Sequence, residues 1–95
     1  MATLSEEEVR QALRQLPGWR AQGDGIVKDF KFDGGFMGSV GYVNRLAAVA
    51  ETADHHPDLA IAWDTVTVTW SSHSEGGVTE NDLRMATEAD RLAAP

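Results

Sequence analysis

The chain has 95 residues, 42% of them hydrophobic and 24% charged, and carries a formal net charge of −7 at pH 7. This length gives one domain around a single core, and the lack of cysteine excludes disulfides, thiolate metal sites and thiol nucleophiles. So acidic a surface repels phosphate backbones, which argues against direct nucleic-acid binding, and no apolar run is long enough for a membrane span.

The opening MATLSEEEVR is acidic and lacks the basic-then-apolar pattern of a signal peptide. With the absence of cysteine, this sets the expectation of a cytoplasmic protein. Residues 4–16 are expected to form the first helix. Ser5 and Glu8 have capping-box spacing, and Leu4 and Val9 are placed as a hydrophobic staple. Val9, Ala12, Leu13 and Leu16 make one apolar stripe, and Pro17-Gly18 stops the helix. Residues 19–22 and 26–32 read as two strands around a Gly23-Asp24-Gly25 turn, with Phe30 and Phe32 on the buried face.

Asp33-Gly34-Gly35 breaks the chain before a second helix over 36–54. Its expected stripe is Phe36, Val40, Val43, Ala47 and Ala50, flanked by Leu46 and Val49. Glu51 and His55 stand four apart, so the last turn should bring them onto one face. Pro57 ends the helix, because a residue before proline avoids helical geometry. Residues 59–63 alternate weakly as a third strand. Residues 65–72 form the clearest strand, with Val66, Val68 and Trp70 on one face and Thr65, Thr67 and Thr69 on the other. His73 would fall on the threonine side, and this strand is the expected pairing edge between copies. After the Ser74–Gly77 loop, Thr79 as N-cap and Asp82 as third helical residue open a last helix to about residue 93. The expected fold is α+β: one domain over residues 1–95, with a four-stranded antiparallel sheet and three helices packed on one face.

The stretch Asp54-His55-His56-Pro57-Asp58 holds two of the three histidines. As a helix C-cap, the pair would complement the negative end of the dipole. As zinc ligands the two are poorly placed, because adjacent side chains point apart and no H-x-x-x-H is present. As proton-transfer groups they titrate near neutral pH. The chain has no G-x-S-x-G elbow, Walker A sequence or dinucleotide fingerprint. What remains is acid–base chemistry on a substrate already poised to react.

Glu51, three residues, His55-His56-Pro57, then Trp63, His73 and Asp82 resemble, in spacing throughout, the signature of the pterin-4a-carbinolamine dehydratases. Gly18-Trp19, Phe30-Lys31-Phe32, Phe36-Met37, Ala50-Glu51 and Gly76-Gly77 extend the likeness over nearly the whole chain. Leu59 and Trp63-Asp64 depart from the aromatic, and from the tyrosine followed by asparagine, that are frequent in the family.

The resemblance implies the same four-stranded fold and dehydration of a 4a-hydroxytetrahydropterin to a quinonoid dihydropterin. No metal and no cofactor would be needed. It implies His55, His56 and His73 as the catalytic set, with His55 and His73 as acid and base and His56 orienting the ring. Glu51 either orients His55 or is a solvated acid. Asp82 either faces the site or only caps its helix. Trp63 either stacks on the pterin or fills the core. Asp54, Ser71 and Ser72 would offer hydrogen bonds to the pterin edges. Partners implied are the pterin, a homodimer or homotetramer, and a pathway containing an aromatic amino-acid hydroxylase. The alternatives are a pterin-binding protein without turnover, or a dimerisation partner of a homeodomain transcription factor acting through an apolar helix surface.

Overall fold

A computed structural model describes residues 2–94. The elements run α1 (Glu6–Leu13), β1 (Arg20–Gln22), β2 (Gly25–Lys31), α2 (Gly35–Ala53), β3 (Asp58–Ala62), β4 (Thr65–Trp70), a 3-10 turn (His73–Glu75) and α3 (Glu80–Ala93). The sheet order is β1-β2-β4-β3 and every pairing is antiparallel. The α+β expectation holds.

Local signals account for most element ends. Ser5 Oγ accepts from the Glu8 amide at 3.1 Å, and Glu8 accepts from the Ser5 amide at 2.8 Å, so the capping box forms. The helix then stops at Leu13, earlier than the apolar pattern suggested, and turns carry the chain to Pro17. Gln22 pairs with Gly25, leaving Gly23-Asp24 as a two-residue hairpin turn. Gly25 is required by a close approach, since a Cβ there would stand 2.7 Å from the Trp70 carbonyl oxygen. Gly25→Ala should therefore cost about 1–3 kcal/mol, read as a lower urea midpoint.

One sheet face presents Ile26, Phe30, Val66, Val68 and Trp70 to Val9, Tyr42, Leu46, Met85, Ala86 and Ala89 of the helices. Lys28 is on this face too, beside Val68. Its chain crosses the Phe30 ring and its ammonium reaches Asp90 at 2.9 Å. Phe32 packs against Tyr42, as the shared face of Phe30 and Phe32 required.

Three expectations need correction. The buried stripe of α2 is Ser39, Tyr42, Leu46 and Ala50, whereas Phe36 and Ala47 are exposed. Two polar side chains hold that face because each has a partner. Ser39 Oγ donates to the Trp63 carbonyl at 2.8 Å, and Tyr42 Oη donates to the Ala89 carbonyl at 2.8 Å. Second, β4 is interior, flanked by β2 and β3, so it cannot be the pairing edge. The edges are β1 and β3, and every residue of β3 is exposed. Third, β4 stops at Trp70, and His73 sits on the 3-10 turn beyond it.

Burial, with the charge of Asp90 added, raises the Tyr42 hydroxyl above its ordinary 10.0, against the opposing pull of Arg45. Folded Tyr42 thus keeps its proton where an unfolded tyrosine loses it. The stability it contributes is whole below pH 10 and is lost as pH rises above that value. Tyr42→Phe should cost about 1 kcal/mol at neutral pH and flatten this decline, measured by urea midpoints from about pH 9 to 11.

Candidate active site

The C-terminus of α2 decides where the histidines go. Asp54 caps the helix in the left-handed region at φ 51, and the His55 amide bonds back to the Ala50 carbonyl at 3.1 Å. This reversal swings His55 inward and leaves His56 outside. The His55 ring stacks on Trp70, with centroids 5.6 Å apart and planes 11° apart. The Trp70 indole N–H is buried and has no hydrogen-bond partner among the described residues.

His55 Nε2 lies 2.5 Å from Asp82 Oδ1. Asp82 is fully buried. Its Oδ2 accepts from Ser72 Oγ and from the Thr79 amide, both at 2.9 Å. With Asp82 as the carboxylate, His55 donates through Nε2–H, and Nδ1 is the nitrogen left to exchange a proton. Asp82 thus caps α3 and, from behind the cavity wall, also holds the His55 ring; it is not itself among the residues that line the cavity. The expectation that Glu51 meets His55 is corrected. Glu51 Oε1 pairs with His56 Nε2 at 2.7 Å, because the turn at Asp54 takes His55 off the face that Glu51 occupies.

His73 lies between two carboxylates, with Nδ1 3.5 Å from Asp24 of the β1–β2 turn and Nε2 3.7 Å from Asp58 at the start of β3. Each imidazole therefore faces at least one acid. His55 is 14% exposed at its side chain, against 57% for His56 and 67% for His73. His55 and His73 line one cavity of about 290 Å³ with Ser71, Ser72, Ser74, Glu75, Thr79 and Asn81. Ser71 Oγ donates to the Asp24 carbonyl at 2.9 Å, so Ser71 and Ser72 are both committed to fixing the cavity wall. Among the described residues, no group of three His, Cys, Asp or Glu side chains is placed to hold a metal.

Of the residues singled out by sequence, His55, His73, Ser71, Ser72 and Asp82 come together. His56 and Glu51 form a separate exposed pair beside them. Asp54 is exposed on the helix cap. Trp63 lies at the far end of the β3–β4 hairpin from Asp58, so it does not join this cavity. Trp63 does not fill the core either: it is 70% exposed, at φ 52 in the turn between Ala62 and Thr65. A bulky residue in that region costs about 1–2 kcal/mol. Sequence reasoning missed Asp24, Asp58, Thr79 and Asn81. Of these, Asp58 had a local signal next to Pro57 and Thr79 had one only as a helix cap, while Asp24 and Asn81 arrive from separate elements.

The family model described as pterin 4 alpha carbinolamine dehydratase matches residues 2–92. A Mycobacteroides abscessus protein named "Putative pterin-4-alpha-carbinolamine dehydratase" is 44% identical over 90 residues, covering 95% of each chain. One of the same name from Metallosphaera sedula is 42% identical over 92 residues, covering 97% of this chain and 95% of its own. The crystal structure of a transcriptional coactivator/pterin dehydratase from Brucella melitensis superimposes with a TM-score of 0.91 at 39% identity, over 97% of this chain and 99% of that one. A pterin dehydratase-like protein identified as a RuBisCO assembly factor in the alpha-carboxysome shares the fold, with a TM-score of 0.64 at 23% identity over 80% of this chain and 87% of that one. The match along nearly the whole length, together with the superposition of the fold, places this chain in the pterin-4a-carbinolamine dehydratase family.

Proposed function

We propose that this protein dehydrates a 4a-hydroxytetrahydropterin to the quinonoid dihydropterin by histidine acid–base catalysis. The observation that carries the reading is the shared cavity of His55 and His73, each imidazole backed by carboxylate. In the reaction the C4a–O bond breaks, the departing oxygen takes a proton to leave as water, N5 gives up its proton, and a C4a=N5 double bond forms. One group must donate and another accept, and two imidazoles on one cavity meet that need. Asp82 fixes the His55 ring with Nδ1 as its working nitrogen. Asp24 and Asp58 hold the more exposed His73 from both sides. His56, steadied by Glu51, orients the ring from the rim. Such an enzyme would return the pterin released by an aromatic amino-acid hydroxylase to use in the cytoplasm.

The test is absorbance-monitored dehydration of freshly generated 4a-hydroxytetrahydropterin with and without protein, under matched buffer. Acceleration proportional to protein concentration is expected. No acceleration by folded protein would sink the reading.

A binding role is the second reading. It is favoured by Phe36, Met37 and Trp63, large apolar residues displayed at the surface, and by the coactivator and assembly-factor descriptions of the two structural relatives. Substituting all three histidines separates the two readings, because partner binding should survive and dehydration should not.

A further inference from the structure

Beside the histidine cavity lies a larger cleft, of about 610 Å³. It is walled by Val9 and Leu13 of α1, Ala21 of β1, Val78, and the glycines of the two loops that flank it. The proton-transfer chemistry described above does not use it.

Two observations join the cleft to the histidines. Asp24 lines the cleft, while its carboxylate stands 3.5 Å from His73 Nδ1 in the neighbouring cavity. Ser71, which lines the histidine cavity, donates to the Asp24 carbonyl at 2.9 Å. The partition here is thin because Gly25 carries no Cβ to push the Trp70–Ser71 backbone away. The connecting loop divides likewise: Ser74 and Glu75 face the histidines, and Gly76 and Gly77 face the cleft.

The cleft also has a sign. Its charged residues are Glu6, Arg10 and Asp24, and Arg10 is already paired with Glu7. Acid is therefore in excess over an apolar floor. C6 of a pterin is bonded to N5, so a substituent on C6 leaves the ring beside the reacting bond.

We infer that this cleft receives the C6 substituent of the pterin and favours neutral, largely apolar substituents over anionic ones. The inference rests on the dehydratase reading above. The histidine cavity takes the bicyclic ring, and the substituent passes over Asp24 onto Ala21, Val9 and Val78. Asp24 and Glu6 repel a carboxylate carried on that substituent.

The test pairs binding with turnover. Calorimetry with stable 7,8-dihydropterins bearing 6-methyl, 6-propyl or 6-(2-carboxyethyl) groups measures occupancy without chemistry. Dehydration of the matching 4a-hydroxytetrahydropterins is followed in parallel. Wild type should bind the propyl compound about tenfold tighter than the methyl one, from the two added methylenes. Ala21→Trp, on an exposed position of a short edge strand, should erase that advantage and leave the methyl affinity unchanged. Ala21→Leu should erase part of it, and serves if the tryptophan variant does not fold. Glu6→Gln should improve carboxyethyl binding by about threefold, as expected for one exposed charge.

Equal binding of methyl and propyl compounds by wild type, or a propyl advantage that survives in both Ala21 variants, overturns the assignment. Turnover without discrimination removes the cleft and keeps the dehydratase. Discrimination without turnover keeps the cleft as a pterin subsite and removes the dehydratase.

Discussion

Alanine in place of His55 is expected to slow dehydration by about 10²–10³-fold, the usual contribution of a positioned proton-transfer group. The effect should fall on kcat more than on KM if, as proposed, the ring acts on the reacting bond. His55 is fixed at Nε2 by Asp82 and on one face by Trp70, so its remaining nitrogen is held in a single direction. His73→Ala should produce a loss of the same order, since donor and acceptor are both needed. His56→Ala should lose about tenfold or less, because its ring stands on the rim with Glu51. Stopped-flow absorbance on a freshly generated substrate measures all three. Wild-type rates in the His55 and His73 variants would remove the imidazoles from the chemistry.

The largest stability effect is expected at Asp82. Asp82→Ala removes the acceptor for the Thr79 amide and for Ser72, both of which stay buried, and frees the His55 ring. Stranded buried donors and a lost helix cap together should cost about 3 kcal/mol. For a domain of this size that lowers Tm by roughly 15 °C. Asp82→Asn keeps one acceptor oxygen and should lose less stability. Its amide cannot serve all three donors, so activity should fall with the fold intact. Calorimetry beside turnover separates these effects. An alanine variant that melts with wild type would show that the carboxylate is not the anchor of this corner.

The same carboxylate illustrates how much of the site could be read in advance. Thr79 and Asp82 had cap spacing, and the cap formed. Nothing local indicated that Asp82 would also take His55 from 27 residues away. The spacing of Glu51 and His55 pointed to the other partner. That inference failed because it assumed the helix continued, whereas Asp54 in the left-handed region ends it and redirects both rings. Trp63 was placed either on the substrate or in the core, and it occupies an exposed hairpin turn instead.

Short-range physics was legible from the residues alone. The capping boxes, the Gly-Asp hairpin turn and the alternation of β4 each depend on neighbours within a few positions. Their energies are set before the chain is compact. The spacing of the histidine signature likewise identified the family. Tertiary structure alone decided three things: that β4 is interior, that polar Ser39 and Tyr42 belong to the buried face of α2, and which acid each imidazole meets. Strand order is a choice among pairings that local patterns leave nearly equal. A buried hydroxyl is tolerable only once its distant acceptor is in place. The pairing of a histidine with a carboxylate depends on which way one residue, Asp54, turns the chain.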